Sequence, residues 1–254
     1  MVYRSAKLCC HSNSQSWGRR EDSLKKLEDR ELIQLYYDKY KLHEIFSKDI
    51  VPYLELFAYE KNEHICTDNH RLQHILFLVK GKAKVYKSLA NGKSLLLCFY
   101  SPLKVLGDLE LVNPAAAPSN VQALEQVYCV GIHLKHVKGH LANDLTFYKF
   151  ICTSLGEKLD RSSINSSINL LNQVENRLAS YILATAEQIQ RSNITIYIFN
   201  ENLSNTADLL GTSYRHLLRT LSSLSANNVL KKVGNGYEVV NIRRLEELAS
   251  DVYK

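Results

Sequence analysis

A stretch of 22 residues constrains this chain more than any other. Leu203-Ser-Asn-Thr-Ala-Asp-Leu-Leu210, followed by Gly211-Thr-Ser-Tyr-Arg-His-Leu-Leu-Arg-Thr-Leu-Ser-Ser-Leu224, has the spacing of a DNA-reading helix-turn-helix. Ala207 supplies the small residue that lets two helices approach. Gly211 can take the positive φ that ends the first helix, and Thr212 or Ser213 can cap the second. Leu209, Leu210, Leu217, Leu221 and Leu224 then fall on inward faces. Ser213, Tyr214, Arg215, His216 and Arg219 point outward near the start of the second helix, where a recognition helix meets base edges in the major groove.

The next residues argue against an ordinary helical hairpin with a solvated basic face. Val229 to Val233 and Tyr237 to Val240 read as two short strands around a turn at Gly234-Asn235-Gly236, which makes a wing. Lys231, Lys232 and Asn235 would lie along the phosphate backbone beside the groove. Residues 211–244 hold six Lys and Arg against one acid, Glu238, so five of the chain's six net positive charges sit in this segment. The basicity is local, as a phosphate-facing surface requires.

A chain of 254 residues that is 45% hydrophobic can build two domains with cores of their own. Its longest apolar run, Leu95 to Tyr100, is far too short to span a bilayer, and the N-terminus lacks a signal-peptide core. A cytoplasmic protein with no membrane partner is expected. Cys9, Cys10, Cys66, Cys98, Cys129 and Cys152 are scattered without the density of a disulfide scaffold, in keeping with a reducing compartment.

Four segments follow from the pattern. Residues 1–29 begin as a polar, poorly ordered extension, with a helix predicted from Asp22 or Ser23 through Leu24, Leu27, Leu32, Ile33, Leu35 and Tyr36. Residues 30–140 carry alternating or short apolar runs at 53–59, 75–79, 82–87 and 95–100, with an Asn91-Gly92 hairpin signal. They predict an antiparallel β-roll. Within 141–171 one long helix is predicted from Asn143 or Asp144 to Asn169, with a seam of Phe147, Ile151, Leu155, Leu159, Ser162 or Ser163, Ser166 and Asn169 that turns polar halfway. Residues 172–254 hold a second helix, from about Gln173 to Gln190 through Val174, Leu178, Ile182 and Ile189, and the winged helix. The fold class is α+β.

This order resembles the catabolite activator and anaerobic regulator (CRP/FNR) superfamily of bacterial transcription factors over about residues 30–245. Phe77-Leu-Val-Lys-Gly-Lys-Ala-Lys-Val-Tyr86, Leu89-Ala-Asn-Gly-Lys93, Gly107-Asp-Leu-Glu-Leu111, Val121-Gln-Ala-Leu-Glu125 and Gly211 to Leu218 look particularly like its YeiL branch. The resemblance implies a cyclic-nucleotide-binding-like jelly roll that senses, a helix that pairs two subunits, and a homodimer reading a pseudo-palindromic operator in double-stranded DNA. RNA polymerase is the further partner such a regulator would meet. Carried onto this chain, Leu155, Leu159, Ser162, Ser163 and Ser166 take dimer-seam positions, and Tyr214, Arg215 and Arg219 base-reading ones. The effector pocket maps to Gly107, Asp108, Glu110, Ser119, Asn120, Ser162 and Ser163, with a small effector of unknown identity.

The departures from the family pattern set the remaining expectations. Cyclic-nucleotide members neutralise the phosphate with an Arg about a dozen residues after a Gly-Glu turn. Here that position falls at Pro118 or Ser119, so cyclic nucleotides are not expected to bind, and a cation arriving from elsewhere would be sought first at Lys82, Lys84 or Lys93. An iron-sulfur cluster needs several closely spaced N-terminal cysteines, whereas Cys9-Cys10 is the only close pair. No cofactor is expected. The alternatives kept open are a redox-responsive regulator of the same fold, using Cys thiols or a cluster, and a constitutive one with a degenerate sensor. His133, His136 and His140, and the pair His70 and His74, have spacing that can bind zinc, but without nearby Cys they read as a polar stripe, and no metal is expected. No Walker loop or nucleophile motif supports an enzyme.

Overall fold

The structure is a computed structural model that describes residues 25–68, 70–113, 119–191, 194–249 and 252–253. Two antiparallel sheets form the roll. In spatial order, the first is β1 (Lys25–Leu27), β2 (Leu54–Tyr59), β9 (Val127–His133), β4 (His74–Lys80) and β7 (Val105–Leu106); the second is β3 (His64–Cys66), β8 (Asn120–Ala123), β5 (Ala83–Ser88) and β6 (Ser94–Tyr100). The turn joining β5 to β6 is closed by Leu89 N–H donating to the Lys93 carbonyl at 2.7 Å, with Gly92 at φ +79° as its left-handed residue.

Phe57, Leu76, Leu78, Val85, Cys98, Val121 and Cys129 fill the space between the sheets. The first sheet is covered on its other face too, where Ile33 and Tyr36 of α1 (Arg30–Lys39), Val137 of α3 (Leu134–His140) and Phe147 and Ile151 of α4 (Leu145–Leu171) pack on Leu56, Ile75, Phe77, Val130 and Ile132. Burial on both faces is why β4 reads as an unbroken apolar run rather than an alternation. A short helix, α2 (Asp108–Val112), opens at Gly107, whose φ of +89° and close approach to the His74 carbonyl leave no room for a Cβ.

Asp144 starts α4 and ties it to the roll. Its carboxylate accepts the Phe147 amide at 3.1 Å and the Ser47 amide at 2.8 Å. Burial pushes its pKa up, but the amides of Phe147, Ser47 and Thr146 outweigh that and leave it below the ordinary 3.8. A depressed native pKa contributes stability that is present above the unfolded value and lost as pH falls through the native one. Asp144→Ala should therefore lower the unfolding free energy by about 2 kcal/mol, the upper end for a lost cap. Urea denaturation at neutral pH measures the gap between the two proteins, which should close on acidification.

After Ile151, apart from the half-buried Leu155, the helix meets the roll through polar groups. Ser154, Lys158, Arg161 and Asn165, spaced four, three and four apart, all bond to roll residues. The winged helix follows as α5 (Val174–Thr185), β10 (Glu187–Arg191), β11 (Ile194–Phe199), α6 (Leu203–Leu209), α7 (Tyr214–Ala226), β12 (Leu230–Val233), β13 (Gly236–Val239) and α8 (Ile242–Ala249), with sheet order β10-β11-β13-β12.

Three expectations change. The helix predicted from Asp22 or Ser23 begins instead at Arg30, capped by Asp29, while Lys25 to Leu27 pair with β2. The roll thus starts inside the segment 1–29 assigned to the extension. The second helix ends at Thr185 rather than Gln190, and Ile189 lies in β10 opposite Ile196. The sequence signal for this strand pair is composition, since Ile194-Thr-Ile-Tyr-Ile-Phe199 consists wholly of the β-branched and aromatic residues that strands favour. Cys9, Cys10 and Pro118 lie outside the described residues.

Candidate nucleic-acid interface and sensor cavity

The helix-turn-helix is built by the residues that predict it. Ser213 Oγ accepts the His216 amide at 3.2 Å and caps α7, and Gly211 sits at φ +61° between the helices. Leu209, Leu210, Leu217, Leu221 and Leu224 are buried. Tyr214, Arg215, His216 and Arg219 are exposed in the first two turns, as are Lys231, Lys232 and Asn235 on the wing. Arg244 is paired with Glu247 at 2.7 Å, whereas Arg215, Arg219, Lys231, Lys232 and Arg243 form no ion pair among the described residues.

Two further features of this face lie outside the sequence reading. Arg177 of α5 is 7% exposed and donates to the Leu210 carbonyl, fixing the turn from beneath. Its only sequence signal is a cation among the apolar positions Val174, Leu178 and Ile182. His216 and Arg219 also line a groove of about 600 Å³ with Asn172, Gln173 and Val174, so the first turn of α5 adjoins the recognition helix.

In the roll, Gly107, Asp108, Glu110 and Ser119 come together, with Cys66, Tyr100 and Lys158, around a cavity of about 50 Å³. Asn120 is buried beside it, accepting the Asp68 amide and donating to Ser88. Ser162 and Ser163 do not line the cavity; both are exposed on α4. The cation in the cavity is Lys158, supplied by α4. Its Nζ lies 2.5 Å from Asp108 Oδ1 and 2.8 Å from the Val105 carbonyl, and Ser154 Oγ donates to the other Asp108 oxygen at 3.0 Å. Asp108 is 1% exposed. Burial, with Asp108 adding to it, raises the Glu110 pKa. Lys82 and Lys93 are exposed, and Lys84 is buried, its pKa lowered by burial against the opposing pull of Glu201. None of the three lines the cavity.

Along α4, Leu159, Ser162 and Ser166 are exposed, Leu159 by 74%, while Leu155 is half-buried against the roll core. Burial pushes the Cys98 thiol up to about 11 and raises Cys129 as well, which withholds the thiolate from both. Cys152 is exposed. His136 and His140 do share a helix face, and the Tyr53 ring stacks on both at 4.7 and 4.4 Å. Among the described residues no three His, Cys, Asp or Glu side chains are grouped to hold a metal.

The comparisons with known proteins match two parts of the chain. A cyclic nucleotide-binding domain model matches residues 56–144, and a Crp-like helix-turn-helix domain model matches 176–248. Regulatory protein YeiL of Escherichia coli O157:H7 is 30% identical over 207 residues, 82% of this chain and 91% of the relative. Among solved structures, a CRP-family transcriptional regulator from Thermus thermophilus is similar with a TM-score of 0.61 at 14% identity, over 78% of this chain and 98% of that one. FixK2 from Bradyrhizobium japonicum gives 0.56 at 18%, over the same shares.

Proposed function

Because the chain belongs to the CRP/FNR family of DNA-binding transcription regulators, we propose that it acts as a homodimer on a pseudo-palindromic operator, without a cyclic nucleotide as effector. The observation that carries the DNA reading is the exposed set Arg215, Arg219, Lys231 and Lys232, without ion pairs among the described residues, on a capped recognition helix and its wing. Tyr214, Arg215 and Arg219 are suited to base edges, while Ser213, His216, Lys231, Lys232 and Asn235 are suited to phosphates. The dimer reading is supported by Leu159, Ser162 and Ser166 on one exposed stripe of α4. One reading helix covers too few base pairs for useful specificity, and two-fold symmetry doubles them.

The cavity argues against a nucleotide on two counts. Small-molecule sites commonly enclose about 300 Å³ or more, and this one encloses about 50 Å³. Its cation is already committed to the buried carboxylate of Asp108, so an arriving phosphate would find no free partner for its charge. A ligand shifts the balance of DNA-competent and incompetent states only through differential affinity. Calorimetry with cyclic AMP and cyclic GMP should therefore give dissociation constants no tighter than about millimolar. Duplex binding should proceed unchanged in their presence, with log K falling linearly against log salt. A micromolar constant for either nucleotide, with altered duplex affinity, would overturn the sensor reading.

A further inference from the structure

Strand β6 is where the roll, the long helix and the DNA-reading domain meet. A bulge interrupts its pairing with β5: Val85 stands opposite Cys98 and Tyr86 opposite Leu96, leaving Leu97 as the extra residue. Cys98 and Tyr100 face the core between the sheets. The bulge reverses the alternation, so Leu96 turns the other way, as Phe99 does. Leu96 is 0% exposed and belongs to the same buried cluster as Leu178, Tyr181 and Leu210 of the winged helix. The Phe99 ring lies 6.1 Å from that of Tyr181 and 6.4 Å, edge-on, from that of Tyr253. Leu95 reaches the turn of the helix-turn-helix, where a Cβ on Gly211 would come within 3.5 Å of it.

The outer edge of the same strand belongs to α4. Asn165 Nδ2 donates to the Leu97 carbonyl, and Arg161 to that of Phe99 at 3.5 Å. Covalently, α5 is aimed only by a two-residue hinge, Asn172 and Gln173, whose extended backbone interrupts the helix between α4 and α5. Lateral contact on β6 removes that freedom. We infer that the bulged β6 is the joint that holds the recognition helix in register with the long helix, with Leu96 as its positioning residue. Two reading helices must sit one turn of DNA apart, and a domain free to swivel loses ordering entropy when the second one docks.

The inference rests on the homodimer reading, and the test separates the two. The probes are a duplex with two copies of the half-site that the wild-type protein selects from a random pool, and the same duplex with one copy scrambled. If the wild-type protein does not prefer the two-site duplex, the dimer reading fails. Given that preference, Leu96→Asn should lose about tenfold or more on the two-site duplex and stay within about twofold on the one-site duplex. Leu96→Met should restore the wild-type value, since it conserves volume. Asn165→Leu, which cuts the bond to the Leu97 carbonyl and keeps Leu96 itself, should lose the same preference, and it decides the matter if Leu96→Asn fails to fold. Equal loss on both duplexes would make Leu96 a support of the winged-helix core only. That outcome, or a full two-site preference in either the Asn or the Leu variant, overturns the inference.

Discussion

Leu159→Glu should yield a folded monomer that has lost its operator. Leu159 is 74% exposed in the single chain, so the substitution disturbs no contact within it, yet on a two-fold seam it sets two carboxylates against each other. Loss of the second reading helix should lower affinity for a two-site duplex by roughly 10² to 10⁴-fold, the advantage that linked sites confer. Sedimentation equilibrium beside a binding titration reads both effects. Leu155→Glu is the poorer probe, because Leu155 also packs on the roll core and its loss mixes folding with pairing. A wild-type chain that sediments as a monomer at micromolar concentration, yet holds a single half-site tightly, would contradict the seam.

Arg215→Ala and Arg219→Ala should each weaken operator binding by about 1 to 3 kcal/mol if the guanidinium reads a base, and should relax sequence choice at one position. Both side chains are exposed and make no ion pair among the described residues, so removing them exposes no buried partner and the measured loss belongs to DNA. Binding selections on randomised duplexes distinguish the roles. Uniform weakening across sequences, with a shallower salt slope, would reassign the residue to a phosphate. Wild-type affinity in both variants would remove the recognition-helix assignment altogether.

The reading surface was legible because its signals are local: a small residue, a glycine, a cap and a leucine period, all within a few turns. β10 escaped because Ile189 continues the period of Val174, Leu178 and Ile182 closely enough to pass for helix, while the partner that makes it a strand lies across a turn at Ile196. Lys158 could not be assigned to the cavity from sequence. Its bond to Asp108 joins residues fifty apart, and only the seating of α4 on the roll brings them together. Similarly, the apolar run at 95–100 foretold burial but not that two different domains would bury it. The bulge that divides it leaves no mark in hydrophobicity, which counts apolar residues and not the direction they face.

The polar seat of α4 has a thermal consequence. Ser154, Lys158, Arg161 and Asn165 hold the helix by directed bonds, while Leu96 and Phe99 hold the reading domain by apolar area. Heat capacity on opening tracks apolar exposure and runs the other way for polar surface. The two attachments therefore respond differently to temperature. Cooling weakens the apolar grip of β6 on the winged helix more than it weakens the polar part of the α4 seat.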